Sequence, residues 1–535
     1  MGPIVSLRTG KTTSMTLINN YGKKVSTHLR GIELPIDAHN ALKDGLAQGA
    51  SQVVNFEVKN NASSSTYFVE TQGTSDNTSK ELGAEGIIRV FDPNNTALAT
   101  PLPQTYAYDD WPLMFETKKF TTNAQGGLEV DQDVSYTTGY EYLVNEQMTS
   151  YLIIAKNVNR FRFMNTDNKM TMNLGIGTRN MAPIVDNLGI TQPMHLIATD
   201  RGYTDKSYAK DEILVGPGER VDVLFDAANF NIGDTLFIYN KVSGIPADVM
   251  GSSASTQGYA QDKVLLKIIV GGSASTFDNL TFPINIMPNV KPLMSDVSKT
   301  RLKKIRKDDL PVDGVIENIT NFDNTVFDMM VINDIIKMDS TEVWTIENTT
   351  TEAQPFYLQH SEFWVTEIKE NGTALVAADY PELFAGAQDN MIIRAGWEVS
   401  FIAKFANYGS EISSDSTYYY RSAMIPTQNK GMIGQFVVWN QVRNPPVNTN
   451  NEELPAQTMT LFPNPNNTGV LYLKGNSDGQ SLIRIMDVQG RIVREGLLPA
   501  MNGTGVIDIQ GISRGLYFVE WTTEEGIATQ KVIIE

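Results

Sequence analysis

ILVGPGERVDVLFD, residues Ile213–Asp226, sets two strand-like runs on either side of a Gly-Pro turn. Glycine and proline supply the backbone angles a tight turn needs. The apolar alternation around the turn fits one face of a β-sandwich, because successive side chains on a strand point to opposite faces. The same form recurs along the chain. SQVVNFEV (Ser51–Val58), RVDVLFDA (Arg220–Ala227), TEVWTIEN (Thr341–Asn348) and GQFVVWN (Gly434–Asn440) are short, β-branched or aromatic, and separated by Asn, Asp, Gly and Ser clusters. Long amphipathic helices are not evident. The pattern predicts an all-β chain of packed sandwiches.

A length of 535 residues exceeds one ordinary core, and at roughly 150 residues per domain it predicts three or four. Three segments share one plan, 1–100, 101–274 and 275–442, each closing on an apolar run: GIIRVF, VLLKIIV and GQFVVW. FPINIMPNVKPLMSD (Phe282–Asp296) reads as a linker. A second linker, 443–457 (RNPPVNTNNEELPAQ), has little to bury and sets off a small C-terminal domain, 458–535.

Composition excludes several classes. The net charge of −18 comes from scattered acidic residues, which keep a surface soluble and repel phosphate backbones, so neither nucleic acid nor an anionic membrane is expected as a partner. Zero cysteines exclude disulfides, thiolate metal sites, Fe–S clusters and a Cys nucleophile. No apolar run reaches the ~20 residues of a membrane helix, and VLLKIIV (Val264–Val270) is strand-sized. MGPIVSLRTG at the start has no signal-peptide core, so a processed or recombinant start is expected. G-x-S-x-G, P-loop, strand-linked G-x-G-x-x-G and H-E-x-x-H motifs are absent. Paired carboxylates such as Asp109/Asp110 and Glu452/Glu453 are common in any acidic chain and carry no specific signal.

Several motifs occur together and in order. RFRFMNTDN (Arg160–Asn168), HLIATDRG (His195–Gly202) and ILVGPGERVDVLFD resemble the middle cupredoxin domain of the multicopper oxidases. QPFYLQHSEFWV (Gln354–Val365) aligns without gaps with that family's HPFHLHGHEFWV, and YYRSAMIPTQNKGMIGQFVV (Tyr419–Val438) with its YHCHILEHEDAGMMGQF. THLRGI (Thr27–Ile32) is similar to the HWHG strand, and STYFVETQG (Ser65–Gly73) to the TYWYHSH strand. The resemblance spans about residues 1–442. It implies three cupredoxin-like Greek-key β-sandwich domains.

Copper oxidation chemistry needs imidazoles and one thiolate, and His-x-His on a strand aims both rings at one cluster. Reading the family's ligands onto this chain implies a loss at every copper type. At the blue-copper site the positions hold Gln354, Ser422 and Thr427, and only the weak axial ligand survives, as Met432. At the trinuclear cluster His28 survives but its partner is Arg30. The other pairs are Glu70 with Gln72, Tyr357 with Gln359, and Arg421 with Ala423. No catalytic, metal or cofactor-binding residue is therefore assigned, and copper is not expected. Arg30, Glu70, Arg421, Tyr357 and Gln359 should converge between the first and third domains, where Arg–Glu pairing would join the two. A repurposed small-molecule pocket is the alternative there. The four histidines, His28, His39, His195 and His360, show no H-x-H or H-x-x-H spacing and read as surface or hydrogen-bonded structural groups.

The C-terminal segment contains LFPNPNNTG (Leu461–Gly469), IRIMDVQGRIVREG (Ile483–Gly496), SRGLYFVEW (Ser513–Trp521) and a terminal QKVIIE. Its residues read as a small Ig-like β-sandwich, with DVQG a hairpin turn. It resembles the sorting domain of the Bacteroidetes type IX secretion system, which implies export across the outer membrane to the cell surface or beyond. The functional expectation is a non-catalytic extracellular scaffold with protein partners or self-association. A binding module for a glycan or small molecule is the alternative, with the aromatics of Tyr418–Tyr420 and Asp379–Phe384 as further candidates. A copper-dependent oxidase is the remote one.

Overall fold

The computed structural model describes residues 2–535 apart from 59–63, 72–82, 92–100, 132–138, 180–187, 255–261, 273–279, 287–289, 313–314, 328–331, 406–416, 425–430, 440–458, 478, 488–490, 500 and 524–525. The chain is all-β and packs into two compact units. One comprises Met1–Val326, Thr341–Lys404 and Tyr420–Ile433; the other comprises Phe327–Ser340, Phe405–Tyr419 and Gly434–Glu535.

The first unit begins with a four-stranded sheet ordered Val5–Arg8, Glu85–Phe91, Ser64–Thr71, Val25–Arg30, and a two-stranded sheet of Lys11–Ile18 with Ser51–Val58. Leu7, Leu29, Val54, Phe56, Ile88 and Val90 fill the space between them. A nine-residue helix, Ile36–Asp44, adds Ala38 and Leu42 to the same core. It is too short to print a helical period that stands out from the strands around it.

The middle sandwich is larger. One sheet runs Gly202–Lys210, Met194–Thr199, Arg220–Asp226, Val158–Asn165, Asp110–Thr122, Leu128–Val130. The other is built on Tyr151–Ile154, Lys263–Val270, Thr235–Asn240 and Met172–Arg179. Its strand Val158–Asn165 shows how alternation builds two layers at once. Phe161 and Phe163 point into the sandwich, beside Phe115 and Phe225. Arg160 and Arg162 point the other way and are equally buried. There Arg162 donates to Asp110 through Nε (2.7 Å) and Nη2 (2.9 Å), and the Arg89 Nε donates to the same carboxylate at 2.7 Å. Arg160 donates to Asp222 at 2.9 Å, and the Ser64 hydroxyl donates to its other oxygen at 2.7 Å. Asp110, which carried no signal in the sequence, is thus a buried hub. Burial works to raise its carboxyl, but Arg162, Arg160 and Arg89 around it hold it below the ordinary value. Arg89 and Ser64 belong to the first sandwich, so this network ties the first two together.

Of the stretch expected as a linker, Phe282–Asp296, the first residues are packed, whereas Val290, Leu293 and Met294 are exposed. Ile284 and Ile286 are buried against Leu102, Val158, Ile197 and Leu224. The Ser207 N–H donates to the Ile284 carbonyl at 2.9 Å, and the Ile286 N–H to the Asp205 carbonyl at 2.8 Å. Phe282 stacks on the His195 ring with centroids 3.6 Å apart. The alternating Phe-x-Ile-x-Ile buries one face, and a linker reading overlooks that.

The third sandwich opens on a long strand, Val297–Val312, which pairs antiparallel with Val315–Phe322 and parallel with Ser340–Asn348. The sheet continues through Trp397–Phe405 and Phe363–Glu370. Gln354–Leu358 lies between Asn390–Ile393 and Tyr418–Ser422, antiparallel to both. Trp344, Phe356, Phe363, Phe401 and Tyr420 form its aromatic core.

In the second unit, Asp334–Lys337 pairs in parallel with Phe436–Trp439. The C-terminal residues form a separate small sandwich. One sheet holds Thr460–Phe462, Val470–Ser477 and Met501–Asp508. The other is ordered Ile492–Leu498, Ser481–Met486, Gly515–Thr523, Gly526–Ile534. Leu471, Leu473, Ile485, Val519, Trp521 and Val532 are its core.

Candidate functional site

The Gly-Pro turn of residues 216–220 is where the three sandwiches meet. Gly218 has φ +82°, and a Cβ there would collide with the Arg30 guanidinium. Only glycine allows that backbone conformation and that approach together. Glu219 accepts hydrogen bonds from the Gly216 N–H (2.6 Å) and the Ile392 N–H (2.9 Å). Burial pushes its carboxyl up to about 7, although both N–H groups favour the charged form. Arg220 donates to Asp389 through two nitrogens, at 2.7 and 3.0 Å, and to the carbonyls of Gly218 (3.0 Å) and Asp200 (2.9 Å). Asp200 accepts the backbone N–H groups of Arg220 (2.6 Å) and Asn390 (3.2 Å). Burial raises its carboxyl well above the ordinary value. Asn390 donates to the Pro217 carbonyl at 2.7 Å. Gly31 lies against Arg220: a Cβ there would sit 2.6 Å from its Nη2.

Arg30, the last residue of Val25–Arg30, and Arg421, within Tyr418–Ser422, converge on Tyr357. Tyr357 and Arg421 are direct cross-strand partners. The Arg30 and Arg421 guanidinium carbons lie 4.9 and 5.9 Å from the Tyr357 ring centroid. All three residues are buried, and Arg30 also lies 5.5 Å from the Phe68 ring. Among the described residues neither arginine has a carboxylate within ion-pair distance, and the nearby Asp389 is held by Arg220. The expected Arg–Glu pairing rests on Glu70 and is not among the contacts described. The Glu70 side chain, Gln72 and Thr427 lie outside the described residues. Glu452 and Glu453, with the 443–457 linker, lie outside them too.

Among the described residues, the remaining positions form no donor set for a metal. His28 stacks on Phe68 with centroids 4.7 Å apart. The Ser422 N–H donates to the Met432 carbonyl at 2.9 Å, and the Ser422 hydroxyl accepts from the Met424 N–H at 3.0 Å. Gln354, Gln359, Ala423 and Met432 are buried. Guanidinium, phenol, carboxamide and hydroxyl groups do not fit copper, which takes imidazole and thiolate. Among the described residues no group of three or more His, Cys, Asp or Glu could hold a metal ion.

Sequence spacing missed one histidine pair. The His360 Nε2 is hydrogen-bonded to the His39 Nδ1 at 2.9 Å, and the His360 Nδ1 to the Ile32 carbonyl, also at 2.9 Å. The pair links the helix of the first sandwich to the turn after Gln354–Leu358. Burial lowers the His360 imidazole to about 4, and Arg201 and His28 push the same way. The two lie 321 positions apart, and no local motif could have announced the pair. Of the aromatic candidates, Tyr418 and Tyr420 are buried core residues, stacked on Phe436 and Phe356 respectively, and offer no ligand platform, whereas Tyr419, Tyr380 and Phe384 are half-buried.

Comparison with known proteins agrees with this architecture. The multicopper oxidase family profile matches residues 1–95, and the profile of the secretion system C-terminal sorting domain matches residues 460–535. Cell division protein FtsP of Glaesserella parasuis is 23% identical over 440 residues, covering 82% of this chain and 84% of that protein. Multicopper oxidase mco of Staphylococcus aureus is 21% identical over 444 residues, covering 82% of each. The crystal structure of the McoA multicopper oxidase from the hyperthermophile Aquifex aeolicus superposes with a TM-score of 0.65 at 18% identity, covering 82% of this chain and 89% of that one.

Proposed function

We propose that this chain, a multicopper oxidase-like body joined to a secretion sorting domain, is an exported scaffold that carries no copper and catalyses no oxidation. Its sorting domain marks it for the cell surface or beyond, and among the described residues no helix is long and apolar enough to cross a membrane. The observation that carries the reading is the chemistry gathered around Tyr357. Two buried guanidiniums stand where the family resemblance puts copper-binding imidazoles, and cations repel cations. The chain also has no cysteine for a blue-copper thiolate. Likeness to a protein named for cell division supports a non-oxidative use of the same fold. Scaffold function implies protein partners or self-association.

The test combines metal analysis, a phenol-oxidation assay and electron microscopy of the native protein. Copper far below one equivalent, no oxidation above buffer, and ordered assemblies or a captured protein partner are expected. Stoichiometric copper together with phenol oxidation would overturn the proposal. The second reading, a small-molecule or glycan site in the same region, is favoured by the arginine pair.

A further inference from the structure

We infer that Arg30 and Arg421, grouped around Tyr357, form a binding site for a small oxyanion: a carboxylate, phosphate or sulfate. The inference does not depend on whether the chain assembles. It starts from a charge imbalance. Arg30 is 7% exposed and Arg421 5% exposed, and among the described residues the buried Nε of each finds no acceptor. Arg220 lies close by, but its charge is answered by Asp389 in a two-bond pairing. Asp389 is thus committed to Arg220, while Arg30 and Arg421 face an aromatic ring.

A phenol ring attracts a guanidinium through its π-face but does not neutralise it. Tyr357 does not supply a phenolate either, because burial raises its hydroxyl above the ordinary value. Burial itself works against the Arg30 charge, and repulsion from Arg421 and Arg220 adds to it. A buried charge is tolerable when paired and hydrogen-bonded, and costly when it is not. An oxyanion would supply what the described residues do not: negative charge and several acceptor lone pairs. The planar guanidinium fork matches the oxygen spacing of carboxylate and of phosphate. The surroundings limit its size, since Phe68 flanks Arg30 on one side and the Gly218 backbone on another.

The test uses the full chain, exchanged into chloride buffer, with melting followed as inorganic phosphate, sulfate or acetate is titrated at constant ionic strength. One of these should raise the melting temperature saturably, and the anion that saturates lowest distinguishes carboxylate from tetrahedral oxyanion. Arg421→Gln should shift the midpoint concentration up by at least roughly tenfold. Arg421→Lys should shift it less, and the exposed control Arg306→Gln should leave it unchanged. Generic salting-out stabilisation is neither saturable nor variant-dependent. An anion already bound at full occupancy would mute the titration, so ion chromatography of the denatured wild-type protein is run alongside, and about one equivalent of oxyanion per chain supports the site. This second measurement also serves if Arg421→Gln fails to fold. No saturable response together with no stoichiometric anion overturns the inference, as does an equal response in wild type and a folded Arg421→Gln.

Discussion

At the residue scale, single side chains at the Gly-Pro turn carry more than their own strand. Arg220 is the clearest case. Arg220→Ala leaves Asp389 buried and unpaired, and a loss of about 3–5 kcal/mol in chemical unfolding is expected. Gly218→Ala forces a side chain into both a positive φ and the Arg30 guanidinium, and should cost more than about 1 kcal/mol in the same assay. His360 gives a pH signature. Its imidazole is lowered to about 4 when folded, against an ordinary value near 6.5, so the unfolded chain binds the extra proton first. Its contribution is intact above pH ~6.5 and drains away as pH falls toward ~4, by an amount on the order of 3 kcal/mol. His360→Gln should flatten that part of the stability profile relative to wild type, and melting curves across the window check it. An unchanged slope would contradict the buried neutral imidazole. The identity of these residues could be read from the chain, but their partnerships could not. Arg220 and Asp389 are 169 positions apart, and no spacing rule reaches across that distance.

At the element scale, the strand Val158–Asn165 shows which part of a sandwich the sequence discloses. Alternation in RFRF places its arginines and phenylalanines on opposite faces. It suggests one apolar face and one wet face, yet both are buried, because a second sandwich covers the arginine side and brings Asp110 to meet it. The two faces should respond differently to mutation. Phe161→Ala opens a cavity and should cost about 3–5 kcal/mol at any pH where the fold persists. Arg162→Met should give a loss that shrinks in acid. The lowered Asp110 carboxyl contributes fully above about pH 4 and loses that contribution as pH falls through its folded value, so removing Arg162 costs less there. Denaturant titrations of both variants at neutral and acid pH would separate the two behaviours. The short helix Ile36–Asp44 and the packed stretch around Ile284 were harder to see. Each buries only a few side chains, too few for a period to stand out.

At the scale of the whole molecule, the C-terminal sandwich has a core of its own and matches a sorting domain. Removing residues 459–535 should leave the remaining chain unexported, and fractionation of cells making the truncated protein checks this. Sequence by itself determined the all-β class, the order of the sandwiches, the sorting tail and the lack of a thiolate. These are local properties: alternation, turn residues and composition survive in any short window. Only the tertiary structure decided that the Gly-Pro turn joins three sandwiches, that Arg220 pairs with Asp389 there, and that His39 meets His360. It also decided that Arg30 and Arg421 share Tyr357. Such contacts depend on how strands from distant parts of the chain are brought together, and a buried charge takes its partner from whatever that packing places beside it.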